Sequence, residues 1–127
     1  MSLADQLKLE DNINKFEVKI TSMTSSSDGV QVNATGTVAR YGKVWLTYNF
    51  KNNPTQETTG SFTGFGWGIT EAGVRNQGER RGVYVSDGLT GTVYSLDDVT
   101  DGNPNFCIER WDLAKETISL QFSRIQG

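Results

Sequence analysis

The sequence predicts an all-β chain: a single antiparallel β-barrel of about eight strands with a short N-terminal helix. Three observations predict it. Apolar and polar residues alternate with period 2 in short runs along most of the chain. Asp-Gly, Asn-Pro and glycine-rich turns separate those runs at regular spacing. One run carries glycine along a single parity, at Gly60, Gly64, Gly66 and Gly68, with Phe62 between them. Glycine weakens a strand unless the sheet coils sharply there or something packs on the bare backbone, and barrel closure asks for this. The 127 residues suffice for one domain, 1–127, whose core can stand without disulfide or metal. A two-sheet sandwich is the competing arrangement of the same strands.

At the N-terminus, Ser2 and Asp5 form a capping-box pattern, and Leu3 and Leu7 continue one face of a helix reaching to about Ile13. Phe16, Val18 and Ile20 then alternate as a first strand, and the serine-rich Thr24 to Gly29 makes a turn. From Val30 to Phe50 two strands meet at Tyr41-Gly42. Val30, Val32, Ala34, Gly36 and Val38 share one face of the first, and Val44, Leu46, Tyr48 and Phe50 repeat the pattern on the second. Asn52-Asn53-Pro54 breaks this hairpin. Strands follow at Thr58 to Trp67, Arg80 to Ser86, Thr90 to Asp97, Phe106 to Leu113 and Ile118 to Phe122, with longer connections at Thr70 to Gln77 and Asp97 to Asn105.

Composition excludes several functions. Fifteen acidic and 12 basic residues give a net charge of -3, and the basic ones are scattered, so no nucleic-acid footprint forms. No apolar run approaches a membrane span, and the N-terminus lacks the pattern of a secretory leader; a cytoplasmic location is expected, although a leader already removed would leave no trace. A lone cysteine, Cys107, precludes an intrachain disulfide. The absence of histidine removes Ser-His and Cys-His nucleophile pairs and the usual zinc and haem ligands, so no metal or cofactor is expected. The acidic segment from Asp97 misses the calcium-loop pattern, because Val99 stands at its third position and Ile108 at its twelfth.

Parity supplies the candidate site. Arg40 continues the apolar face that ends at Val38, Arg124 that of Ile118, Leu120 and Phe122, and Arg110 that of Phe106 and Ile108. All three are expected inside. Arg40 and Arg124 emerge at the end with the longer loops, flanking the first strand, where a mouth is expected. With Tyr41, Trp67 and Glu71 nearby and Tyr48 and Phe122 in the lining, they would clasp an anionic or amphipathic small ligand whose apolar part enters the barrel. The competing reading solvates both arginines or pairs them with Asp97, Asp98 and Asp101. Trp45, Trp111 and Trp67 fall on the opposite parity; large aromatics on a barrel exterior point to a homo-oligomer, with burial under the N-terminal helix as the alternative.

The strands Val32 to Phe50 (VNATGTVARYGKVWLTYNF), Thr59 to Trp67 (TGSFTGFGW) and Val93 to Asp97 resemble the short glycine-rich strands of the allene oxide cyclase-like barrel superfamily, which includes bacterial proteins of unknown function. The resemblance implies an eight-stranded barrel with a cavity and a tendency to oligomerise; it carries over no catalytic residue. The expected function is binding of a small apolar or amphipathic anionic ligand. The alternatives are an isomerase or cyclase using the same cavity, with Glu71, Tyr48 or Tyr84 handling a proton, and an oligomeric interaction module without a ligand.

Overall fold

The computed structural model describes residues 1–126. After a four-residue helix, α1 (Leu3–Gln6), come eight strands: β1 (Asn14–Ser25), β2 (Gly29–Val38), β3 (Gly42–Asn53), β4 (Gln56–Ile69), β5 (Arg75–Asp87), β6 (Thr90–Val99), β7 (Asn105–Asp112) and β8 (Thr117–Arg124). Each strand pairs antiparallel with the next, and β8 returns to β1, so the sheet closes as a barrel. No sheet edge is left open to template aggregation.

The β2–β3 hairpin runs in unbroken register from Gly29↔Lys51 to Val38↔Gly42, as its strict alternation requires. Gly42 turns it with φ +79°, and a Cβ there would lie 2.2 Å from the Ile69 carbonyl oxygen, so glycine is needed twice over. A bulge between Ile20 and Ser22 shifts the register of β1 against β2. Val18, Val32, Ala34, Tyr48, Phe62, Ile118 and Leu120 fill the interior.

Three expectations are corrected. The N-terminal helix stops at Gln6 instead of continuing to about Ile13; its capping box forms, but it buries no residue, so packing gives it no reason to continue. The chain beyond it is extended and pairs with the C-terminus: Leu9 bridges Ile125, and the Glu10 amide donates to the Arg124 carbonyl at 2.9 Å. The parity of β7 is also reversed. Asn105, Cys107, Glu109 and Trp111 face inward, so Arg110 is exposed and donates to the Thr92 hydroxyl at 3.0 Å, whereas Trp111 is buried. The irregular piece placed at Thr70 to Gln77 is shorter, since β5 already begins at Arg75.

Candidate functional site

The interior is divided by a polar layer that β5, β6 and β7 build from inward positions. Arg80, at 5% exposure, projects from β5 opposite Gly64 of β4, where the missing side chain leaves it room. Its guanidinium lies 5.2 Å from the Tyr48 ring centroid and 5.8 Å from that of Phe62. Its Nε donates to Asp97 at 3.1 Å; one Nη2 contact goes to the Ser95 hydroxyl at 3.0 Å and another, very close, to Glu109. Glu109 is fully buried and collects further donors: Tyr48 Oη at 2.8 Å, Trp111 Nε1 at 3.0 Å and the Cys107 thiol at 3.7 Å. Such a carboxylate tolerates burial because every donor around it compensates lost water.

Charge balance follows from this geometry. Burial opposes the Arg80 charge, but Asp97 and Glu109 outweigh it and hold its pKa well above the ordinary value. One guanidinium serves two carboxylates, so compensation is incomplete, and burial raises the Asp97 pKa despite Arg80 and Ser95. Burial, with Glu109 beside it, drives both the Tyr48 hydroxyl and the Cys107 thiol well above their usual values, which leaves Cys107 a structural thiol rather than a nucleophile.

On each side of this layer the barrel holds a pocket. The one at the Tyr41 end, where the longer loops lie, has a volume of about 80 Å³, with walls of Phe16, Val38, Val44, Leu46, Leu120 and Phe122. Arg80, Asp97 and Asn105 also line it, and Tyr41 and Trp67 border it. The one at the other end, about 140 Å³, is lined by Val30, Phe50, Tyr84, Trp111 and Leu113 among others. Among the described residues two buried polar atoms lack a protein partner, Arg80 Nη1 and Asn105 Oδ1; both residues line the first pocket, but neither atom has accessible surface. The orientation of Asn105 is fixed by chemistry. Asp101 can only accept from Tyr41 Oη, at 2.9 Å, so Oη in turn accepts from Asn105 Nδ2, at 3.0 Å, and Oδ1 is left over. Burial comes first among the effects that push the Tyr41 hydroxyl up to about 12.

The residues expected from sequence scatter around this arrangement. Tyr41 and Phe122 stack at 5.8 Å in the pocket wall, and Phe16 meets Phe122 edge-on. Tyr48 lies in the polar layer. Trp67 stacks on Trp45 outside the barrel at 4.4 Å, with the Arg75 guanidinium 4.6 Å from its centroid. Arg40 and Arg124 do converge, on Glu10: Arg40 Nη1 pairs with its carboxylate at 3.0 Å and the Arg124 amide donates to it at 2.9 Å. The Arg124 guanidinium donates to Asn103 at 3.2 Å. Hydrogen bonds from Arg40 and from the Arg124 amide hold the Glu10 carboxyl below the usual range. Glu71 is exposed in the turn between β4 and β5.

Sequence reasoning missed Arg80, Asp97, Glu109 and Asn105 as a group. The available signal was Glu109 itself, which alternates with Cys107 and Trp111; an acid on an inward face requires an inward base, and Arg80 shares its parity with Gly78 and Gly82. Among the described residues no cluster of histidine, cysteine or carboxylate side chains suits a metal ion, and no helix is long and apolar enough to cross a membrane. Comparison of the chain with protein-family models, curated proteins and solved structures finds no match.

Proposed function

We propose that the protein binds a small, largely apolar molecule in the pocket at the Tyr41 end of the barrel. The observation that carries this reading is a pocket with apolar walls, Phe16, Val38, Val44, Leu46, Leu120 and Phe122, whose lining also includes the polar residues Arg80, Asp97 and Asn105. Apolar walls with a few polar groups among them are the usual make-up of a small-molecule site. Native mass spectrometry of protein exposed to an extract of its host tests it. A retained small molecule, displaced when Leu120→Trp fills the pocket, is the expected result; a bare chain under conditions that keep the fold intact overturns it.

A second reading, isomerisation in the same cavity, is favoured by Asp97, a pocket-lining carboxyl whose pKa is raised. It replaces Glu71 as the acid–base group. Asp97→Asn would abolish turnover of a retained compound while leaving its binding intact, whereas a retained compound recovered unchanged from the wild type speaks for binding alone.

The outer face supports an assembly. Val83, Tyr94 and Ile108 stand side by side on β5, β6 and β7, with Leu96 and Phe106 in the next row; Leu96 is 61% exposed. On β5 Arg81 stands beside Leu96, with Glu79 and Asp98 beyond it, and at the other end Arg110 is followed by Asp87 and Asp112. We infer that a second copy of the chain covers it. A two-fold axis through the patch lets the apolar rows of the two copies cover one another and sets Arg110 of each against Glu79 and Asp98 of the other, an isologous arrangement.

A further inference from the structure

The geometry points to a second binding site, at the end of the barrel away from Tyr41, that takes a single uncharged aromatic ring. The site does not depend on the Tyr41-end pocket, because the polar layer of Arg80, Asp97 and Glu109 stands between the two. Its cavity has a volume of about 140 Å³, close to the roughly 150 Å³ of an engineered core cavity that holds one benzene. Size admits one ring. Phe50, Tyr84 and Trp111 supply aromatic walls and Val30, Val93 and Leu113 aliphatic ones. None of the lining residues is charged; the polar ones carry neutral amides and hydroxyls, as at Asn52 and Ser86.

Glycine stands opposite two of the three aromatics and leaves them room: Gly60 of β4 pairs with Tyr84, and Gly91 of β6 with Trp111. A Cβ at Gly60 would lie 2.5 Å from the Tyr84 ring, and Gly91 itself lines the cavity. Packing fixes the rings. Phe50 meets Tyr84 at 5.4 Å and 87° and Trp111 at 5.1 Å and 86°, while Tyr48 lies parallel to Phe50 at 5.6 Å. Trp111 spends its one side-chain donor, Nε1, on Glu109 at 3.0 Å, so the indole offers the cavity only its ring. A guest ring adds a further edge-on or offset contact to this set, which an aliphatic guest of similar size cannot. The lining also bears on charge. A charged head would lose water on entry and find no opposite charge among the lining residues. Aromatic faces attract a compact cation more than an anion, so a quaternary ammonium is the competitor to separate.

Benzene, cyclohexane and tetramethylammonium are titrated separately into the full chain while two-dimensional NMR follows the Trp111 indole N–H and the methyl groups of Val30, Val93 and Leu113. The methyl groups of Val38, Leu46 and Leu120 report the Tyr41 end in the same spectra. The expected result is that benzene moves the first set with an affinity about three- to tenfold above that of either other probe. Gly91→Leu, which places a side chain in the cavity, is expected to abolish those shifts. Cyclohexane or tetramethylammonium binding as tightly as benzene overturns the assigned ligand class. Benzene that moves only the Tyr41-end signals, or none, overturns the site, and so does a shift at Val30, Val93 and Leu113 that survives Gly91→Leu. A Cβ at Gly91 first meets the Val85 carbonyl oxygen, at 3.3 Å. If that contact keeps Gly91→Leu from folding, as its amide dispersion would reveal, Val30→Phe fills the cavity from a half-buried position on β2 and supplies the same comparison.

Discussion

At the scale of single residues, the interior depends on one cation. Arg80 compensates both Asp97 and Glu109, and its removal leaves two buried carboxylates without their cation. Arg80→Met, which keeps the bulk and deletes the charge, is expected to destabilise the barrel by about 3–5 kcal/mol at pH 7 in urea unfolding. The loss should shrink as pH falls, because Asp97, already raised and now without its cation, takes up a proton; a loss independent of pH would mean that packing, not charge, was removed. Asp97 gives the complementary signature. Its folded-state pKa is raised, so as pH climbs through the ordinary aspartate range the unfolded chain releases its proton first and the wild type loses stability until the raised value is passed. Asp97→Asn cannot titrate there. Its stability relative to wild type should therefore improve as pH rises across that window, and a relative stability that declines would reverse the assigned direction. Glu10, held low by Arg40 and the Arg124 amide, acts oppositely: its contribution is present above its ordinary pKa and is lost as pH falls.

At the scale of elements, the strands were legible because period-2 alternation and turn residues are local signals. The β2–β3 hairpin and the inward place of Tyr48 emerge as the alternation predicts. What failed was also local in origin. On β7 the apolar Phe106 and Ile108 outscored Cys107 and Glu109 as an inward set, since the charge that makes Glu109 tolerable inside comes from Arg80, 29 residues away in sequence. The site was missed for the same reason: its members lie on three strands, and only the register between those strands brings them into one layer. The glycine file of β4 is a place of close approach, and Gly82 on the neighbouring β5 is another, but the room beside them differs. A Cβ at Gly82 would lie 1.7 Å from the Tyr94 carbonyl oxygen and 2.9 Å from the Phe62 ring, whereas one at Gly66 meets first the Leu46 Cδ2 methyl, at 2.7 Å. Backbone cannot yield and a leucine methyl can. Gly82→Ala is therefore expected to destabilise by about 2–3 kcal/mol and Gly66→Ala by under about 1 kcal/mol. Thermal or urea unfolding checks the order; equal losses would show that the cost at both is strand geometry, not contact.

At the scale of the whole molecule, the barrel has two surfaces with opposite tasks: an interior that must satisfy buried charge and an exterior that β5 to β7 leave partly apolar. Leu96 at 61%, Val83 at 54% and Tyr94 at 38% exposure stand next to one another on paired strands, a continuous patch of the kind that monomers rarely present to water. Trp45 and Trp67 do not join it; they stack on each other nearer the Tyr41 end, with Lys43 and Arg75 over their rings, and so cover much of their own apolar area. Sedimentation of the wild type is expected to give a dimer at micromolar concentration, and Leu96→Glu a monomer, because the new carboxylate would be desolvated in the centre of the interface. The charge argument adds a sharper expectation. Arg110→Glu should also weaken the dimer, since it would face Glu79 and Asp98 of the partner copy, and the further change of Glu79→Lys and Asp98→Lys in the same chain should restore it. Leu96 faces outward between the inward Ser95 and Asp97, so the monomeric variant should keep its fold and its pocket. A dimer that survives Leu96→Glu places the interface elsewhere on the barrel, and a wild type that stays monomeric at high concentration removes the need for one.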